Sequence, residues 1–139
     1  MHTAKVLVVE DDDRLRDGLV EMLRTAGFWV ESAADGERGL ELAPAADLIL
    51  LNLGLPKLSG LEVLRAMREK GDYTPVIVVS GDVEHRKEAE ACKIVDFVQK
   101  PFRARDLMDK VQRCLRVGEN MESITGFTER LKGVVEKHK

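Results

Sequence analysis

One α/β domain, a parallel sheet doubly wound with helices, is the fold class that the sequence predicts, and three features carry the prediction. Short apolar runs of strand length recur without polar interruption, the pattern of strands buried on both faces. Between them lie segments whose apolar residues recur at three- and four-residue steps, the pattern of helices with one buried stripe. The two kinds alternate along the chain, and right-handed crossovers between parallel strands then put helices on both sides of the sheet.

The first strand is AKVLVV, Ala4 to Val9, a largely β-branched run bounded by charge. A helix follows, with Leu15, Leu19, Met22 and Leu23 at helical spacing, Asp12 or Asp13 as its cap and Gly27 at its end. FWVESA, Phe28 to Ala33, is a shorter strand, after which Gly36 opens a brief helix that Pro44 ends. LILL, Leu48 to Leu51, is the third strand, and Leu61, Leu64 and Met67 mark the third helix. VIVV, Val76 to Val79, is the fourth strand, VEHRKEAEAC, Val83 to Cys92, a polar helix, and IVDFVQ, Ile94 to Gln99, the fifth strand. The last helix carries Leu107, Val111, Cys114 and Leu115 on one face, which completes five strands and five helices without an internal repeat.

At 139 residues the chain fits one domain, large enough to bury a core that needs no staples. Its 34% of charged residues exceeds the usual quarter and implies a well-solvated surface. No apolar run approaches the roughly 18 residues of a membrane span, and MHTAKVLVVEDDD reaches its acid cluster too early for a signal peptide. A cytoplasmic location is therefore expected. A net charge of -3 offers no general attraction to nucleic acid. Cys92 and Cys114 lack CxxC spacing and read as free thiols, while His2, His85 and His138 are scattered and read as surface residues.

Strand carboxyl ends of a parallel sheet share one edge, where open α/β folds keep their reactive groups. Glu10 and Asp11 follow the first strand, Asn52 the third, Ser80 ends the fourth and Lys100 follows the fifth, so these residues are expected around one shallow cleft. Acids, a hydroxyl and a lysine can hold a hydrated divalent cation and a phosphoryl group together, and Mg²⁺ favours one or two carboxylates, retained waters and phosphate oxygens. Each residue alone has a plainer reading, the acids as a helix start, Ser80 as a turn residue, Lys100 as a surface cation. Their placement at the ends of different strands gives them joint meaning.

VLVVEDD, LILLNLGLPKLSG, VIVVSGD and FVQKPF, in this order and spacing, resemble the motifs of response-regulator receiver domains of two-component signalling, over the stretch from Lys5 to Arg116. The resemblance implies a flavodoxin-like (βα)5 sheet in the strand order 2-1-3-4-5 and a phosphorelay protein-interaction switch, not an enzyme. In that family an aspartate at the end of the third strand takes a phosphoryl group from a sensor histidine kinase or phosphotransfer protein, with a divalent cation present, and the switch acts on a downstream protein target. The resemblance puts Asn52 at that position, and makes Glu10 and Asp11 the acid pair, Asp11 the direct metal ligand, and the Gly54 backbone carbonyl a further ligand beside Asn52. It also puts Ser80 and Lys100 on the phosphoryl group, Phe97 at the aromatic switch position and a cis peptide between Lys100 and Pro101.

A neutral, resonance-stabilised amide is a poor nucleophile, so the chain as written is expected to take no phosphate at Asn52. Mg²⁺ binding is expected to persist but weaken, one carboxylate's charge being lost. A natural pseudo-receiver and an Asp-to-Asn replacement both account for such a sequence. The alternatives are a vestigial interaction domain without metal or phosphoryl chemistry, and a phosphatase or flavin-binding protein on the same fold. The last two need an acid nucleophile or a phosphate-binding loop, neither of which the sequence carries.

Two departures from the family stand out: Phe97 replaces a frequent Tyr, and Lys93 replaces a Gly that commonly follows the fourth helix. Lys93 argues against a left-handed residue there, because side chains disfavour positive φ. The family's common output face, the fourth helix, fifth strand and fifth helix, here mixes Arg86, Lys87, Arg103, Arg105, Lys110 and Arg113 with Glu88, Asp106 and Asp109. Residues 1–117 read as the receiver and 118–139 as an extension too short for an output domain, so a stand-alone unit is expected. Ile124, Phe127, Leu131, Val134 and Val135 predict one amphipathic C-terminal helix, packed on its own domain or on a partner such as a second copy in a homodimer.

Overall fold

The computed structural model describes the backbone of residues 3–119 and the side chains of residues 3–115. Its elements are β1 Lys5–Val9, α1 Asp13–Thr25, β2 Trp29–Ala33, α2 Gly36–Leu42, β3 Leu48–Leu51, α3 Gly60–Glu69, β4 Val76–Ser80, α4 Arg86–Glu90, β5 Asp96–Gln99 and α5 Ala104–Glu119, with a 3-10 turn at Ala43–Ala45 after α2. All strand pairs are parallel and the order is β2-β1-β3-β4-β5, the flavodoxin-like topology that the resemblance implies. The helix expected over residues 121–135 lies outside the described residues, as do His2 and His138. No described helix is long and apolar enough to cross a membrane.

The uninterrupted apolar strands follow from having a core on each face of the sheet. Successive residues of a strand point to opposite sides. Val6, Val8, Leu48, Leu50, Ile77 and Val79 pack with Leu19 and Leu23 of α1 and Leu107, Val111 and Leu115 of α5. Leu7, Val9, Ile49, Leu51, Val76 and Val78 pack on the other side with Leu61, Val63, Leu64 and Met67 of α3 and Ala89 of α4. Each fully buried aliphatic side chain contributes roughly 1.5–3 kcal/mol, so a strand with two covered faces cannot give up an alternate polar position without losing part of that term.

The helix ends follow local chemistry. Asp12 caps α1 by accepting from the Leu15 N–H at 3.1 Å. Gly27, at φ +98°, closes it, with Gly27 N–H on the Arg24 carbonyl at 3.0 Å and Phe28 N–H on the Leu23 carbonyl at 3.2 Å. Ser59 and Glu62 form a reciprocal capping box that fixes where α3 starts.

Two local expectations are corrected. The polar helix expected over Val83–Cys92 is shorter, Arg86–Glu90. The Asp82 carboxylate accepts from the backbone N–H of His85 at 3.3 Å and, on its other oxygen, pairs with the His85 ring at 2.8 Å; the Arg86 N–H donates to the Val83 carbonyl at 3.3 Å, so residues 83–86 form a turn and the regular helix starts only at Arg86. Lys93, which the sequence argues against as a left-handed residue, has φ +61°. The turn is held from outside: Arg68 Nε donates to the Cys92 carbonyl at 2.8 Å and Arg68 Nη2 to the Lys93 carbonyl at 3.2 Å. These bonds offset the roughly 1–2 kcal/mol that a left-handed residue with a Cβ costs.

One glycine bears directly on the cleft. A Cβ on Gly60 would collide with the Asn52 carbonyl oxygen and come within 2.7 Å of Leu53 Cα and 2.9 Å of Asn52 C. All of these are backbone atoms, so no change of rotamer relieves the clash. Gly60→Ala is expected to cost about 1–3 kcal/mol, read as a lower urea midpoint at an unchanged m-value.

Candidate functional site

The site begins with strand register. The Asn52 backbone N–H, just past β3, donates to the Val9 carbonyl at the end of β1 at 3.0 Å. Glu10 and Asp11, which follow β1, are thereby set beside Asn52 although they lie 42 and 41 positions away in the chain. The Asn52 amide nitrogen lies 3.1 Å from Asp11 Oδ1, 3.2 Å from the Gly54 carbonyl oxygen and 3.4 Å from Glu10 Oε2, and donates to all three. Carboxylates and carbonyls only accept, which orients the amide with its nitrogen inward.

Glu10 is 2% exposed, and every partner it has matters at that depth, because an unpaired buried charge is costly. Lys100 Nζ reaches Glu10 Oε1 at 2.8 Å across 90 positions of sequence. Glu10 Oε2 also accepts from the Asp12 N–H at 3.0 Å, and Arg16 Nη1 donates to the Glu10 carbonyl at 2.9 Å. Lys100 is positioned by β5, its N–H donating to the Ser80 carbonyl at 3.0 Å, and its peptide bond to Pro101 is cis. Ser80 itself is buried at the end of β4, where its Oγ accepts from the Asp82 N–H at 3.1 Å.

Glu10, Asp11, Asn52, Gly54 and Lys100 thus share one hydrogen-bonded network at the carboxyl edge of the sheet, and Ser80 joins it through the Lys100 backbone. Phe97 stands apart, buried in the core on the α3 and α4 side with the Arg86 guanidinium 5.0 Å from its ring centre. Asp12 and Arg16 were not singled out as site residues. Their signal is positional only: one caps α1 and the other lies one turn further on, and neither role distinguishes them in sequence.

His85 is a surface residue, as the sequence implies, but it has close acidic neighbours. One ligand atom each from Asp82, Glu84 and His85 lies within 4.8 Å of the others, just after Ser80. The Asp82 hydrogen bond, followed by its negative charge, holds His85 above its ordinary value of 6.5. The same bond is the main cause that holds Asp82 below its ordinary 3.8. The stabilisation from this pair is fully present between pH 3.8 and 6.5. It is lost as pH rises through the raised value of His85 or falls through the lowered value of Asp82. An NMR titration is expected to find His85 titrating above 6.5, and Asp82→Asn is expected to return it toward that value.

A family model described as the response regulator receiver domain matches residues 6–112. The probable transcriptional regulatory protein SilR of Salmonella typhimurium is 36% identical over 121 residues, which are 84% of this chain and 53% of that protein. Among solved structures, the chemotaxis protein CheY4 of Vibrio cholerae superposes with a TM-score of 0.74 at 31% identity, covering 82% of this chain and 100% of the other. The response regulator TrrA of Thermotoga maritima, solved in complex with Mg²⁺-BeF, superposes with a TM-score of 0.73 at 29% identity over 81% of this chain and 100% of that one. The chain spans about half the length of the curated relatives it matches.

Proposed function

The chain belongs to the response regulator receiver domain family, and from that premise we propose that it is a protein-interaction switch of a phosphorelay in which Asn52 stands at the phosphoacceptor position. Receiver domains bind Mg²⁺ through acidic residues and interact with histidine kinases or phosphotransfer proteins. In this chain the donor set fits such a cation: two carboxylates, Glu10 and Asp11, and the Gly54 carbonyl converge from two loops on one point. Asn52 is a fourth ligand when its amide oxygen faces them. A bound cation supplies positive charge that offsets an anionic phosphoryl group.

The remaining roles belong to the chain's own groups. Lys100 offsets the charge of Glu10 and is placed to pair with a phosphoryl oxygen, and the Ser80 hydroxyl is the hydrogen-bond donor on the same edge. Asn52 is neutral, so the step that forms an acyl phosphate has no nucleophile. The domain then signals through the conformation it holds and the partners it docks, without enzymatic turnover, in the cytoplasm. Phe97, under Arg86 on the α4 side, stands at the aromatic switch position that the resemblance gives it. The single observation that carries the proposal is the Asn52 side chain bonded to both acids and to Gly54, with Lys100 on Glu10. The complex of TrrA with Mg²⁺-BeF supports reading this cleft as one for a cation and a phosphoryl group. SilR is named a transcriptional regulatory protein; the net charge of -3 gives this chain no general attraction to nucleic acid, and the target proposed for it is a protein. Phosphoryl uptake, read by intact mass in the native chain and in Asn52→Asp, is the test; uptake by the native chain overturns the proposal.

A further inference from the structure

We infer that the Asn52 side-chain amide takes the place of the divalent cation in this chain: its NH₂ group holds Glu10, Asp11 and the Gly54 carbonyl together in the metal-free protein, and a cation enters only by displacing it. The inference rests on reading the cleft as a cation site and concerns what fills that site.

Three oxygens from two separate loops converge on one nitrogen, at 3.1, 3.2 and 3.4 Å. They are the same oxygens that the cation would require. Two carboxylates and a carbonyl dipole repel one another unless something positive lies between them. An aspartate at this position adds a further negative oxygen and leaves that demand to a metal ion. An asparagine brings its own donor: two N–H hydrogens, one of them shared, face three acceptors. The formal charge is met on the opposite oxygen of Glu10 by Lys100 at 2.8 Å.

The surroundings keep the amide in place. Asn52 is 8% exposed, and Gly60 packs directly on its backbone carbonyl, which fixes the main chain from which the amide projects. The side chain can rotate its amide only by turning Oδ1 toward Asp11 and Glu10, which sets lone pairs against lone pairs. A cation between them removes that penalty, so metal entry and amide rotation are one coupled event. The cleft is consequently assembled in the native chain without metal.

Melting curves in EDTA and across a Mg²⁺ titration test this on the native chain, Asn52→Asp and Asn52→Ala, since a ligand bound to the folded state raises its melting temperature in proportion to ln(1 + [L]/Kd). The native chain is expected to melt at the same temperature in EDTA and in millimolar Mg²⁺. Asn52→Asp is expected to melt lower than native in EDTA and to rise with Mg²⁺, its midpoint at least about tenfold lower in Mg²⁺ concentration than any response of the native chain, a factor worth 1.4 kcal/mol. Asn52→Ala, which loses the donor without adding charge, is expected to melt below native in EDTA. A measurement on the native chain alone stands beside these: the Asn52 NH₂ signals in a ¹⁵N spectrum are expected to stay in place at Mg²⁺ concentrations that saturate Asn52→Asp. A native melting curve that rises with Mg²⁺ as far as that of Asn52→Asp, or Asn52 NH₂ signals that move at those concentrations, overturns the inference and leaves the cation reading intact. If Asn52→Asp also fails to respond to Mg²⁺, the cation reading falls and the inference with it.

Discussion

Incubated with Mg²⁺ and a small-molecule phosphodonor, Asn52→Asp is expected to gain one phosphoryl group while the native chain gains none. The substitution exchanges NH₂ for an oxygen of nearly the same shape, so β3, the contact with Gly60 and the pair between Lys100 and Glu10 have no steric reason to move. What changes is reactivity. A carboxylate carries charge and an available lone pair, whereas the amide delocalises its lone pair and stays neutral. An anionic donor approaching three carboxylates meets repulsion that only fixed positive charge offsets. Lys100 is the protein's share of that charge, so Lys100→Met in the Asn52→Asp background is expected to slow uptake by about a hundredfold or more. Intact mass measures both, and hydroxylamine lability identifies an acyl phosphate. A hydroxylamine-labile phosphate on the native chain would place the nucleophile elsewhere, and no gain in Asn52→Asp would favour a vestigial cleft.

Lys100→Met in the native background is expected to destabilise the fold by about 3 kcal/mol, the cost of leaving one member of a buried ion pair without its partner. Glu10 is the reason for the size of the effect: its side chain is 3% exposed, and Lys100 Nζ at 2.8 Å is its ion-pair partner. The Lys100 side chain is 26% exposed, so it loses little by being replaced, and most of the penalty falls on the carboxylate left behind. Glu10→Gln added to Lys100→Met removes that charge and is expected to recover most of the loss, because an uncharged pair needs only hydrogen bonds. Chemical denaturation of the two variants and the native chain measures this. A loss below about 1 kcal/mol would mean that the pair behaves as a solvent-screened surface contact.

The strands were legible because burial on both faces leaves no polar position within residues 6–9, 48–51 and 76–79, and the ends of α1 were legible because Asp12 and Gly27 act on neighbouring backbone groups. The fourth helix is shorter than its composition suggests, since VEHRKEAEAC has nothing against helix; its first residues form a turn, with the Arg86 N–H on the Val83 carbonyl, before the helix begins. Lys93 departs from its sequence expectation for a tertiary reason. Its side chain does disfavour positive φ, but Arg68, on a different helix, supplies the bonds that hold the turn. Glu10, Asp11, Asn52, Ser80 and Lys100 were legible because each lies at the end of a strand or on the loop after one, a position that can be counted along the chain, whereas Gly54 and Phe97 rested on the resemblance alone. Their partners could not be counted, which is why Arg16 and the Asp12 N–H on Glu10 were passed over.

Local and periodic properties were determined by the sequence alone: which segments are strands or helices, that the sheet is parallel, and that the acids, amide, hydroxyl and lysine share an edge. They are written at separations of two to four residues, the reach of a pleat or a helical turn. The tertiary structure alone decided that the Asn52 nitrogen faces Asp11, Glu10 and Gly54 and that Lys100 takes the far oxygen of Glu10. Three of these four bonds join residues 41, 42 and 90 positions apart. They depend on strand register and on the rotation of one amide about one bond, and neither of these leaves a period in the sequence.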